Sequence, residues 1–146
     1  MNFEQKENCI FCKFVTGEIK PVIVMETESV LAALDINPAG TLCGHTLVMS
    51  KKHFENIHDC PDEELKKIIV AVKKISTAVK EASGAEGINV IQNNGKAAGQ
   101  LINHVHFHVI PRARGDGIHF DENRRKPKPM ELTEAAEAIK KALQEQ

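Results

Sequence analysis

His104-Val105-His106-Phe107-His108-Val109-Ile110 alternates histidine with apolar residues. Strict alternation over this length is the signature of a half-buried β-strand, in which successive side chains point to opposite faces. The three imidazoles therefore share one face, roughly 7 Å apart from one to the next. Val105, Phe107 and Val109 share the other and can enter a core. Imidazole is a nucleophile when neutral and a proton donor when charged, and both forms exist near neutral pH. By itself the row is compatible with catalysis, with a metal site, or with a polar face of no function.

The flanking chain places this strand in a larger sheet. Val22–Met25, Ser29–Leu34, His45–Ser50 and Ile88–Gln92 read as four further strands. Asn37-Pro38-Ala39-Gly40 and Asn93-Asn94-Gly95 have turn chemistry, and Pro111 is expected to end the histidine strand. Cys9–Thr16 reads as one or two helical turns closing at Gly17. Pro61 opens a long helix with Leu65, Ile68, Ile69, Val72, Ile75 and Val79 on one face at the 3.6-residue period, stopped by Gly84. Lys66, Lys67, Lys73, Lys74 and Lys80 lie largely elsewhere, on a solvated face. Thr133 can cap a last helix bearing Leu132, Ala136, Ile139 and Leu143. The expected fold class is α+β: a five-stranded antiparallel sheet with one long helix and a C-terminal helix, residues 1–146 forming one domain. One helix on one sheet face leaves the other in need of cover, which homodimerisation would supply.

The 146 residues suffice for a real core, and 42% are hydrophobic. A net charge of −1 gives no global electrostatic case for nucleic-acid or membrane binding. No stretch has the length of a transmembrane helix. The polar, acidic start (Met1–Asn8) is no signal peptide, so Cys9, Cys12, Cys43 and Cys60 read as thiols or metal ligands in a cytoplasmic protein. Cys9-Ile10-Phe11-Cys12 has zinc-knuckle spacing, although alone it could equally be a redox pair or two small buried residues. Gly95-Lys96-Ala97-Ala98-Gly99-Gln100 could bring backbone N–H groups to an anion or be a plain turn. The basic run Arg112, Arg114, Arg124, Arg125, Lys126 and Lys128 is read as a solvated loop.

Taken together these segments resemble the histidine triad family, named for His-φ-His-φ-His-φ-φ with φ apolar. Residues 104–110 match that pattern. So do Asp35-Ile36-Asn37-Pro38, Gly44-His45-Thr46-Leu47-Val48, Lys51-Lys52-His53, Asn93-Asn94-Gly95 and Gly99-Gln100. Cys9-Ile10-Phe11-Cys12-Lys13 with Gly17-Glu18-Ile19 is similar to the Hint-like branch. The likeness covers residues 9–112 and leaves 113–146 as a variable segment.

The resemblance implies a purine nucleotide hydrolase working at the α-phosphate of a nucleoside phosphoramidate or dinucleoside polyphosphate. His106 would be the nucleophile, His108 would flank it, and His45 would line the phosphate site. Asp35 would hold the ribose. Phe11, Leu34 and Ile36 would form the base pocket, with Asn93, Gly99, Gln100 and Leu101 on the phosphate and leaving-group side. Zinc would be held by Cys9, Cys12, His53 and His104, and the sheet would continue across a homodimer. Leu101 departs from the family's usual Ser or Thr, leaving only its backbone N–H, and the Asp35–His45 turn is longer than in many members. Two other readings remain: a nucleotidyl transferase, which more often carries Gln where His108 stands, and a non-catalytic nucleotide-binding module.

Overall fold

The computed structural model describes residues 6–120 and 124–146. Its elements are α1 (Ile10–Thr16), β1 (Ile23–Glu26), β2 (Val30–Leu34), β3 (Thr46–Ser50), α2 (Asp62–Ser83), β4 (Gly87–Gln92), β5 (His106–Arg112) and α3 (Pro129–Gln144). The strands form one antiparallel sheet in the order β1-β2-β3-β5-β4, the expected α+β arrangement. The histidine strand thus lies inside the sheet, between β3 and β4.

Alternation along β5 divides its side chains as expected. Val105, Phe107 and Val109 join Val30, Ala32 and Val48 beneath α2, which contributes Ile68, Ala71, Val72, Ile75 and Val79. Asp62, Glu63 and Glu64 occupy the first turn of α2, where the helix dipole favours negative charge, and Gly84 closes it in the left-handed region. Ile69, expected on the buried face, is exposed. The opposite face of the sheet is partly roofed by α1: Cys9, Phe11 and Cys12 pack on Leu31, Leu47 and Met49. Cover for that side therefore comes in part from within the chain.

Three local expectations are corrected. His104 stands just before β5, because the Val105 N–H bonds to the Phe54 carbonyl (2.7 Å) and so leaves the ladder. Pro111 does not end the strand: it pairs with Ile88, at a point where pairing with β3 has already stopped at Val109 and a proline is tolerated. Finally α3 starts at Pro129, with the Glu131 carboxylate accepting the Lys128 N–H (2.7 Å), whereas Thr133 lies inside the helix and donates to the Pro129 carbonyl (3.2 Å). Proline at the first helical position supplies the start signal.

Candidate active site

His106 is buried, and its Nδ1–H donates to the His104 carbonyl at 2.7 Å. A neutral imidazole has one N–H, so this bond leaves the lone pair on Nε2. The ring is held edge-on against Phe11 (centroids 5.0 Å apart) and the His108 ring (5.0 Å). Burial lowers its pKa below the usual histidine range, opposed by the bond to His104 and by Asp35.

The proton on His108 is fixed from farther away. The Ala39 N–H donates to His45 Nδ1 at 2.9 Å, so His45 must carry its proton on Nε2. That atom lies 2.9 Å from His108 Nδ1, which is then the acceptor, and the His108 proton is left on Nε2. Asp35 stands behind the pair, with its Oδ2 3.7 Å from His45 Nε2 and its Oδ1 accepting the Asn37 N–H at 2.8 Å. Burial lowers the pKa of His45 against the pull of Asp35. Burial, followed by His106 and His45, holds His108 down to about 4. Both imidazoles are therefore neutral near pH 7. The cluster pairs a free imidazole lone pair with a neighbouring imidazole N–H, which suits nucleophilic attack with assistance to a leaving group.

A second group gathers beside it. The Cys9 and Cys12 sulfurs and one ring nitrogen each of His53 and His104 all lie within 4.8 Å of one another. His104 is fully buried and its Nε2–H donates to the Ser50 carbonyl (2.7 Å), which turns the Nδ1 lone pair toward Cys9 Sγ (3.3 Å) and Cys12 Sγ (3.7 Å). His53 Nδ1 is 3.3 Å from Cys12 Sγ, and its Nε2 is buried with no hydrogen-bond partner among the described residues. Backbone N–H groups of Cys12 and Lys6 point at the two sulfurs (3.4 and 3.5 Å). Burial raises the Cys12 thiol to about 11, lowers His104 to about 4 and lowers His53 below the usual histidine value, so these three groups favour their neutral forms. A tetrahedral zinc, with Zn–S of about 2.3 Å and Zn–N of about 2.0 Å, sets its ligands roughly 3.3–3.8 Å apart. These four residues could hold such a metal ion.

The remaining expected residues are less tightly gathered. Phe11 is buried among the histidine rings. Leu34 is half-buried at the end of β2, but Ile36 (85% exposed) and Leu101 (92%) project into solvent within this chain. Asn93 lies beside Gly99: a Cβ built on that glycine would be 3.9 Å from Asn93 Nδ2. Gln100 has its side chain committed to the fold. Its amide donates to the carbonyls of Glu55 (2.6 Å) and Ile102 (3.1 Å), and its oxygen accepts the Gly95 N–H (2.8 Å). It pins the short 3-10 turn Lys96–Ala98, and its own backbone N–H donates to the Gly95 carbonyl (3.1 Å).

Sequence reasoning missed Ala39 and Ser50, which meet the imidazoles through a backbone N–H and a backbone carbonyl, with Ser50 Oγ also 3.3 Å from His104 Nε2. It also misread Arg112. Far from being solvated, its guanidinium grips Asp116 with two bonds (2.6 and 2.8 Å). The Gly115-Asp116-Gly117 turn was the available clue.

The site is thus an α+β sheet with an interior strand that presents an imidazole lone pair beside a neighbouring imidazole N–H. The chain belongs to the HIT domain family, whose model matches residues 16–115. It is 48% identical to an uncharacterised HIT-like protein of Methanocaldococcus jannaschii, over 90% of this chain and 98% of that one. The adenosine 5'-monophosphoramidase hnt1 of Schizosaccharomyces pombe is 47% identical over 72% of this chain and 74% of its own length. A zinc-bound histidine triad family protein from Mycobacterium smegmatis superposes with a TM-score of 0.71 at 36% identity, covering 92% of this chain and 97% of that one.

Proposed function

We propose that the protein is a hydrolase that cleaves purine nucleoside phosphoramidates, or related nucleotides, at the α-phosphate and releases a nucleoside monophosphate such as AMP. One observation carries this reading: His106 Nε2 keeps its lone pair while the adjacent His108 keeps its proton on Nε2. His106 Nε2 attacks phosphorus, and the P–N bond to the amine breaks. The His108 Nε2–H hydrogen-bonds the departing nitrogen, which takes its proton from a water molecule and leaves hydroxide. That hydroxide then attacks the nucleotidyl-histidine, which frees the monophosphate and restores neutral His106. Covalent catalysis divides one difficult displacement into two easier ones. The adenosine 5'-monophosphoramidase name of the fission-yeast relative supports the substrate class.

Under this reading Asp35 holds the ribose. Phe11, Leu34 and Ile36 form the base pocket, and Asn93, Gly99, Gln100 and Leu101 lie on the phosphate and leaving-group side. Cys9, Cys12, His53 and His104 hold a zinc ion that, when bound, supplies no acid–base chemistry and ties α1 to the catalytic strand. Mixing the protein with an adenosine phosphoramidate tests the reading. Release of AMP with water alone supports a hydrolase, release only with an added acceptor supports a transferase, and no release supports a binding module.

The pH profile carries a sign. His45 and His108 are needed neutral, and both have pKa values below the ordinary imidazole value. Their neutral forms should persist as pH falls from 8 through 6.5, with activity lost only further down. A kcat/KM profile from pH 4 to 8 reports these groups in the free enzyme. An acid limb centred at or above pH 6.5 would contradict the arrangement.

A homodimer belongs to the same proposal. β1 and β4 are the two edges of the sheet, and a second copy could continue it. Sedimentation at micromolar concentration should give about twice the 16.2 kDa chain mass. A species at the chain mass would count against it.

A further inference from the structure

The 36–44 loop, which supplies the Ala39 N–H, is not supported by its own hydrogen bonds alone. It rests on the segment just past β5. A Cβ built on Gly40 would lie 3.2 Å from Ile118 Cδ1, 3.6 Å from the Pro111 carbonyl oxygen and 3.8 Å from Asp116 Oδ2. Gly40 has φ +79°, which favours glycine, so the backbone here combines an unusual conformation with close approach. The surface it meets is itself clamped. Arg112 donates through Nε and Nη2 to the two oxygens of Asp116 (2.6 and 2.8 Å), through Nη2 to the Ile118 carbonyl (2.8 Å), and through Nη1 to Asn89 Oδ1. Asp116 also accepts the N–H groups of Ala113 (3.2 Å) and Ile118 (3.1 Å), and its side chain is only 2% exposed. Such a two-pronged, hydrogen-bonded pair fixes geometry far more tightly than an exposed ion pair does.

We propose that Arg112 and Asp116 are positioning residues for the reaction: their clamp holds Ile118 against Gly40, which keeps the adjacent Ala39 N–H on His45 Nδ1 and so fixes the proton on His108 Nε2. This rests on the hydrolase reading for its effect on rate, but the tautomer itself can be observed without turnover. Were the loop to relax, His45 could place its proton on Nδ1 and present a bare Nε2 to His108. His108 would then donate through Nδ1, and its Nε2 would have no proton to offer a departing nitrogen. The loss should therefore fall on substrates that need that proton and spare those that do not.

The experiment has two arms. In the first, imidazole ¹⁵N shifts of His45 and His108 are recorded for the full-length protein and for Asp116→Ala. The parent should show both rings as the Nε2–H form, and the variant should show mixed tautomers. A variant that keeps single Nε2–H tautomers overturns the proposal whether or not the protein turns over any nucleotide. In the second, turnover is compared on an adenosine alkyl phosphoramidate and on adenosine 5'-p-nitrophenyl phosphate, whose leaving group departs as a stable anion. Asp116→Ala should lose roughly 10–100-fold in kcat on the first, part of the roughly 10²–10⁴-fold that a positioned proton donor contributes, and less than about threefold on the second. KM for both should change little. Equal losses on both substrates mean general disruption and overturn the proposal. Should Asp116→Ala fail to fold, Gly40→Ala, which disturbs the same contact from the other side, is expected to give the same split between substrates and the same mixed tautomers. If the parent releases AMP from neither substrate, the hydrolase reading fails, and the ¹⁵N arm still decides the positioning claim.

Discussion

His106→Ala is expected to abolish release of AMP from an adenosine phosphoramidate while nucleotide affinity stays within about tenfold, roughly 1.4 kcal/mol. The asymmetry follows from what each imidazole is already doing. His108 Nδ1 accepts from His45, and its other nitrogen carries the proton. His104 directs Nδ1 at two cysteines and Nε2–H at the Ser50 carbonyl. With His106 removed, no other lone pair of the triad is free to attack, so the loss should approach the scale seen when a nucleophile is deleted, on the order of 10⁴-fold or more in kcat. His106→Gly should be equally inactive. The measurement is AMP release under single-turnover conditions beside the affinity of a non-hydrolysable analogue. Substantial turnover by either variant would remove His106 from the nucleophile's role.

The second large effect concerns stability. Cys9→Ser/Cys12→Ser should lose bound zinc and melt earlier, yet retain phosphoramidate hydrolysis at low temperature. A closed site of two sulfurs and two ring nitrogens contributes binding free energy directly to folding. Its loss should cost several kcal/mol, which for a chain of this size lowers Tm by on the order of 10 °C. Chemistry should survive because the bond that orients His106 runs to the His104 backbone carbonyl and not to its ring. Elemental analysis of protein purified without chelator decides the first half. Less than about a tenth of an equivalent of zinc, with melting unchanged by chelation, would leave Cys9 and Cys12 as ordinary thiols and free the His104 ring.

The two effects separate His104 from His106, two positions apart, and they also mark where sequence reading stops. That His106 and His108 share a face, with Phe107 and Val109 opposite, follows from alternation alone. That α2 packs by Ile68, Val72, Ile75 and Val79 follows from its 3.6-residue period, although Ile69 on the same stripe is exposed because the sheet beneath covers a narrower arc. The C-x₂-C spacing and the Lys-Lys-His segment were visible as motifs. Their meeting at His104 was available only through family likeness, since 41 residues separate Cys12 from His53 and 95 separate Cys9 from His104.

Periodicity is a property of neighbours along the chain, so the sequence by itself determined the order of the main elements and the shared face of His106 and His108, while His45 joined them through family likeness and the ends of β5 and α3 came from the fold. Which nitrogen of each ring holds a lone pair is decided by groups brought from elsewhere: the Ala39 N–H on His45, His45 on His108 across 63 positions, and the Ser50 carbonyl on His104. The same holds for Gln100, whose amide is consumed by backbone carbonyls, and for Arg112, which reads as one more basic residue until Asp116 is folded against it. A hydrogen bond depends on angle and on tenths of an ångström, and only the closed tertiary structure fixes those.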